Sequence, residues 1–114
     1  MKYEKNMFTG GTGMLLLALL KERDMYGYEI IEELARRSDD TFKLKEGTLY
    51  PLLHLLEKEL CVETYSIRTP SGRERKYYHI TDTGCRQLED KKKEWRTFSE
   101  KVGMVIGFAA PAGV

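Results

Sequence analysis

Basic side chains crowd one short stretch of this chain. Between residues 64 and 79 stand Arg68, Arg73, Arg75 and Lys76, with Glu74 as the only acid among them. Guanidinium and ammonium groups gathered in this way neutralise phosphates, and where they sit matters more than total charge. The total is close to balanced at +1, with residues 1–40 leaning acidic and residues 41–81 leaning basic. Other chemistries lack their pieces. Cys61, Cys85, His54 and His79 could hold zinc in principle, but no C-x-x-C or H-x-x-x-H spacing brings them together. They read as free thiols and ordinary histidines of a reducing, cytoplasmic compartment, and neither a metal nor another cofactor is expected. Ser66, Ser71 and Ser99 have no His/Asp arrangement nearby in the sequence. There is no phosphate-binding loop and no paired carboxylate, so an enzyme is not expected.

The basic stretch needs a scaffold, and the flanking sequence supplies one. "CVETYSI" (61–67) and "KYYHIT" (76–81) are β-rich runs, and "RTPSGRER" between them carries Pro-Ser-Gly turn chemistry. This predicts a hairpin with a longer loop and the basic cluster at its tip. Three helices precede it. Met14 to Arg23 is apolar nearly all round, which calls for cover on two sides, from its own core or from a second subunit. Asp24 is a candidate cap for the next helix, Tyr26 to Ser38, with Ile30, Ile31, Leu34 and Ala35 on one stripe. The third begins near Lys45 to Gly47 and runs to about Leu60, with Leu49, Leu52, Leu53, Leu56 and Leu60 toward the core. Pro51 is placed within about its first turn, where the missing N–H costs little. Thr48, Pro51, His54, Leu55 and Lys58 fall on its outer side, which is short of acids at the N-terminal end.

After the hairpin, Asp82 to about Ile106 reads as a long helix capped by Thr81. Cys85, Leu88, Trp95, Phe98, Val102 and Val105 lie on one seam. A helix of that length outruns so small a domain, so part of the seam calls for another chain. Residues 1–11 read as an arm with a glycine hinge. The run "MLLLALL" is too short to span a membrane, and no membrane partner is expected. The expected fold is mainly α with a small β-hairpin, a winged helix-turn-helix in the order α-α-α-β-β-α. The winged domain covers 8–81, the C-terminal helix 82–108 and a tail 109–114.

"LLLALLKERDMYGYEI" (15–30), "EGTLYPLLHLLEKEL" (46–60) and "GRERKYYHITDTG" (72–84) together resemble the PadR family of bacterial transcription regulators. The lone C-terminal helix is similar to the short subfamily that includes a lactococcal multidrug-binding regulator. The resemblance implies a two-fold homodimer on double-stranded DNA, with the third helix entering the major groove at each half of a pseudo-palindromic operator. It implies that the C-terminal helix packs on the partner. Trp95 takes the place of a tryptophan that sandwiches flat aromatic compounds across the dimer, so a planar hydrophobic effector is the implied ligand, and repression the implied sign. The chain departs from the family at Leu60, where a helix-ending glycine is usual, and at Leu55, where an arginine is common.

On that resemblance Thr48, Pro51 and His54 are candidates at base edges, with Lys45 and Tyr50 holding phosphates at the helix N-terminus. Tyr50 packed into the core and His54 merely exposed are the plainer alternatives. Arg73, Arg75 and Lys76 are the candidate wing contacts, against a hairpin tip that is simply solvated. Met14, Leu15, Leu88, Trp95, Phe98 and Val102 are the candidate dimer and ligand surface. A protein–protein adaptor that keeps the winged fold without DNA is the contrasting reading, favoured by Leu55.

Overall fold

The leucine run of the first helix makes the centre of the molecule. The computed structural model describes residues 2–108, with side chains placed from residue 11 onward. In α1 (Lys2–Glu22), Leu16, Leu17, Leu19 and Leu20 are buried, and Met14, Leu15 and Ala18 lie half-buried against the same core. The apolar collar expected to need a partner is therefore covered largely within the protomer, because later elements of the chain pack around this one helix. The arm and hinge expected over residues 1–11 give way to helix from Lys2 onward. Glycine costs a helix about 1 kcal/mol relative to alanine. No proline intervenes at Gly10, Gly11 or Gly13, and the anchored leucine segment propagates its turns through them.

A strand that the sequence did not announce follows, β1 (Met25–Tyr26). Asp24 does not cap the next helix, α2 (Gly27–Arg37). Tyr26 holds the N-cap position, and its N–H donates to the Glu29 carboxylate at 3.2 Å. Ile30 and Leu34 bury the inner face of α2. On the outer face Arg37 donates to Glu22 of α1 at 2.7 Å. Asp39 and Asp40 then adopt left-handed backbone with φ of 49° and 63°, a region that aspartate tolerates better than most residues. Phe42 and Leu44 tuck against the core on the way to α3 (Glu46–Lys58), which buries Leu49, Leu53 and Leu56.

Two expectations for α3 are corrected. Pro51 lies in the second turn, because the helix starts at Glu46, so the Gly47 carbonyl receives no N–H from it. Leu60 does not join the core. The helix ends at Lys58, and Leu60 takes a left-handed turn with φ of 64° that leaves it 70% exposed. That is the position where a glycine ordinarily closes a helix.

Strands β2 (Val62–Arg68) and β3 (Glu74–Ile80) pair antiparallel from Val62 opposite Ile80 to Arg68 opposite Glu74. The loop is therefore only 69–73, shorter than expected, with Gly72 at φ 86° turning the chain. β1 adds to the other edge of β3, Met25 opposite Tyr78 and Tyr26 opposite Tyr77, giving a three-stranded sheet in the order β1-β3-β2. The C-terminal helix α4 (Asp82–Ile106) matches its expected bounds and cap: the Thr81 hydroxyl accepts from Gly84 N–H at 3.0 Å and donates to the Leu60 carbonyl at 2.6 Å. There is no room for a side chain at Gly84. An added Cβ would collide with the Cys61 carbonyl and stand 2.7 Å from Cγ1 of Ile80. At about 1.5 Å per residue α4 is roughly 37 Å long. The whole is a winged helix-turn-helix, mainly helical with a small sheet. Among the described residues no helix is long and apolar enough to cross a membrane.

Candidate nucleic-acid interface

Helix α3 turns a continuous polar edge outward. Lys45, Glu46, Gly47, Thr48, Tyr50, Pro51, His54, Leu55 and Lys58 are all exposed, while Leu49, Leu53 and Leu56 anchor the opposite side. Lys45 is the N-cap residue, in extended conformation, and no side chain caps the helix. An uncapped helix start presents backbone N–H groups and the positive end of the macrodipole, a ready anion site. Tyr50 follows the packing alternative in part. Its phenol lies over Gly27 at the start of α2, where any Cβ would collide with it, yet the residue remains 40% exposed. The expected shortage of acids at the N-terminal end of this face does not hold at Glu46. Its carboxylate is exposed in the first turn of α3, where it repels phosphate and can accept from a base amino group. Its adjacency to Lys45 was the available signal.

The wing divides its basic residues. Arg73 closes the loop, while Arg75 and Lys76 are not at the tip but on β3, opposite Ile67 and Ser66. Neighbours along a strand point to opposite faces. Lys76 shares the face of Tyr78, with Nζ 5.6 Å from that ring. Tyr78 is buried in the core, which pushes its hydroxyl up, and the nearby Tyr50 and Glu57 of α3 push it further. Lys76 thus rides on the α3 side. Arg75 lies on the other face, its guanidinium carbon 4.5 Å above the Tyr26 ring. There Tyr77 meets Tyr26 edge-on at 5.5 Å and stacks on Tyr65 at 5.6 Å. Asp24 closes this row, accepting from the Tyr65 hydroxyl at 2.6 Å and pairing with Nδ1 of His79 at 2.8 Å. Burial pushes the Asp24 carboxyl up, but the two hydrogen bonds outweigh it and hold the group below its ordinary value. The same bond pushes the Tyr65 hydroxyl up to about 12.

The expected partner surface is reduced at one end and extended at the other. Leu88 is only 1% exposed and belongs to the protomer's own core, because the first turns of α4 pack on α1. Met14 and Leu15 are half-buried. Met14, Leu17, Leu52, Leu55 and Leu56 line an apolar cleft of about 230 Å³ between α1, α3 and α4. Further along α4, Trp95 is 48% exposed, with its ring 5.9 Å from that of Phe98, and Val102 is exposed beside them. Met104, Val105, Ile106 and Phe108 form an exposed apolar end that the sequence seam included only at Val105. Gly107, at φ 90°, ends the helix and returns Phe108 N–H to the Gly103 carbonyl at 2.9 Å. The expected tail 109–114 lies outside the described residues.

Residues 16–90 match the family described as Transcriptional regulator PadR-like family. An uncharacterised protein of Lysinibacillus sphaericus is 36% identical over 101 residues, spanning 89% of this chain and 93% of that one. A PadR-like transcriptional regulator from Bacillus cereus has a similar structure, with a TM-score of 0.75 and 34% identity over 89% of this chain and 96% of that one. A transcriptional regulator from Clostridium thermocellum gives 0.76 and 32% identity, over 90% and 95%.

Proposed function

Because this chain belongs to the PadR-like family of transcriptional regulators, we propose that it represses transcription as a two-fold homodimer on a pseudo-palindromic operator in double-stranded DNA. The observation that carries this reading is the presence of two exposed features that could meet phosphate and base edges. One is the uncapped α3 edge with Thr48, Pro51 and His54. The other is the wing, with Arg73 at its loop and Lys76 on the face turned toward α3. Residues 8–81 serve as the DNA-binding unit and residues 82–108 as the dimerisation helix. The exposed apolar end of α4 and the α1/α3/α4 cleft support a partner of the same kind, since both would otherwise remain in water. Trp95 and Phe98, half-open at the middle of α4, support a planar hydrophobic effector held between subunits. Such a compound acts only through its different affinities for two dimer states.

The test is fluorescence anisotropy of labelled duplex DNA from upstream of the protein's own gene, at low and high salt. Saturable binding that beats random DNA and weakens steeply with salt is expected. No binding to any duplex at low salt would favour an adaptor, for which the exposed Leu55 in the cleft would be the contact.

A further inference from the structure

The two basic residues on strand β3 face opposite ways, each over a tyrosine ring, with Arg75 closer at 4.5 Å than Lys76 at 5.6 Å. Lys76 stands beside Tyr78 on the face turned to α3. Arg75 is stacked on Tyr26, within a row of rings that crosses all three strands as Tyr26, Tyr77 and Tyr65. We propose that Arg75 is a positioning residue: it braces the wing against the first turn of α2 through Tyr26, and leaves phosphate neutralisation on strand β3 to Lys76.

The route of the brace is short. Tyr26 is the N-cap residue of α2, fixed by its N–H to Glu29 and by its pairing with Tyr77. The next residue, Gly27, carries the Tyr50 ring of α3, whose Cζ would stand 2.9 Å from an added Cβ. The dipeptide Tyr26–Gly27 is therefore held by the wing on one side and by the recognition helix on the other. A guanidinium over the face of a tyrosine is attracted by the ring quadrupole. Releasing it frees the wing to change its angle to α3 without removing a phosphate contact. Asp24 holds the far end of the row through Tyr65 and His79, so Arg75 acts at the end nearer the loop.

The inference rests on the DNA-binding reading, and the salt dependence of binding separates the two. For the wild type, Arg75→Ala, Lys76→Ala, Tyr26→Leu and Tyr26→Phe, the slope of log K against log salt is measured on one operator duplex. Lys76→Ala is expected to lower the slope by about 0.9 per subunit. Arg75→Ala is expected to weaken binding roughly two- to fivefold, the scale of an exposed cation–π contact, with the slope unchanged. Tyr26→Phe keeps the ring and binds as the wild type does. Tyr26→Leu weakens binding as Arg75→Ala does, and the two together lose no more than either alone. A slope lowered by Arg75→Ala, or losses that add, would overturn the proposal while leaving DNA binding intact. Should Tyr26→Leu fail to fold, the Arg75→Ala slope alone decides. A wild type that binds no duplex overturns both readings.

Discussion

Asp24 and Tyr65 are separated by 41 residues and joined by a 2.6 Å hydrogen bond from the tyrosine hydroxyl to the carboxylate. The bond ties the turn before α2 to the outer strand of the wing. It favours ionised Asp24, held below its ordinary 3.8, and protonated Tyr65, pushed up from 10.0 to about 12. The stability from Asp24 is complete above 3.8 and lost as pH falls through its folded value. That from Tyr65 is complete below 10.0 and lost as pH rises through about 12. A double-mutant cycle of Asp24→Asn and Tyr65→Phe, followed by urea unfolding, should therefore give a favourable coupling that is flat between about pH 5 and about pH 9. It should shrink on either side. A coupling that vanishes at neutral pH would show that the bond contributes nothing.

Leu60 sits where the backbone asks for glycine. Its φ of 64° costs a leucine about 1 kcal/mol or more relative to glycine, and its side chain is mostly in water. Leu60→Gly should raise stability by about 1 kcal/mol, read as a higher urea midpoint at unchanged m-value. A fall in the midpoint would mean that Leu60 makes a contact in solution that outweighs its strain.

Gly84 is the reverse case. A methyl group there meets the Cys61 carbonyl and Ile80, so α4 must shift from the sheet. Gly84→Ala should cost about 2–3 kcal/mol, the upper part of the range for overpacking. Thermal unfolding by circular dichroism checks it, and an unchanged melting temperature would contradict the close approach of α4 to the chain at Cys61.

His54 and Lys45 are expected to fail differently on DNA. His54→Ala should reduce discrimination between the operator and point-mutated duplexes by about 1–3 kcal/mol at one base pair, with the salt slope kept. Lys45→Ala should lower affinity for all duplexes alike and reduce the slope by about 0.9 per subunit. Equal effects of both on every duplex would remove His54 from the base-reading set.

The exposed end of α4 gives a test of assembly. Val105→Asp places a charge among Met104, Ile106 and Phe108. Sedimentation velocity should show the wild type as a dimer and the variant shifted to monomer at the same concentration, with the helical signal kept. A dimer undisturbed by the charge would locate the subunit contact elsewhere.

Legibility from the sequence followed the range of the forces involved. Thr81 as cap and the start of α4 were readable because a hydroxyl and the amides of one turn settle them. The outward residues of α3 were readable from helical spacing around Leu49, Leu53 and Leu56. Strand β1 was not, since two residues carry no period, and their pairing with Tyr77 and Tyr78 arises only in the folded chain. Asp24 looked like a cap for the same reason: its true partners, Tyr65 and His79, are remote in sequence. The division between Arg75 and Lys76 depended on where the strand began. A loop drawn through Arg75 hid the alternation that separates them. Leu88 was assigned to the subunit seam because periodicity shows a stripe but not which part of it the protomer covers itself.

The pairing of β1 with β3 also bears on how the chain is made. Met25 and Tyr26 leave the ribosome long before Tyr77 and Tyr78, and until those arrive the start of α2 has neither its strand partner nor the Asp24 contacts. A nascent chain holding all of α1, α2 and α3 thus has these helices without the strand pairing and side-chain contacts that fix the start of α2. Its exposed leucines remain open to chaperones or to other chains through that interval. Synthesis of the wing is then the step that completes the sheet, so a ribosome pause before residue 80 would prolong the interval in which β1 is unpaired.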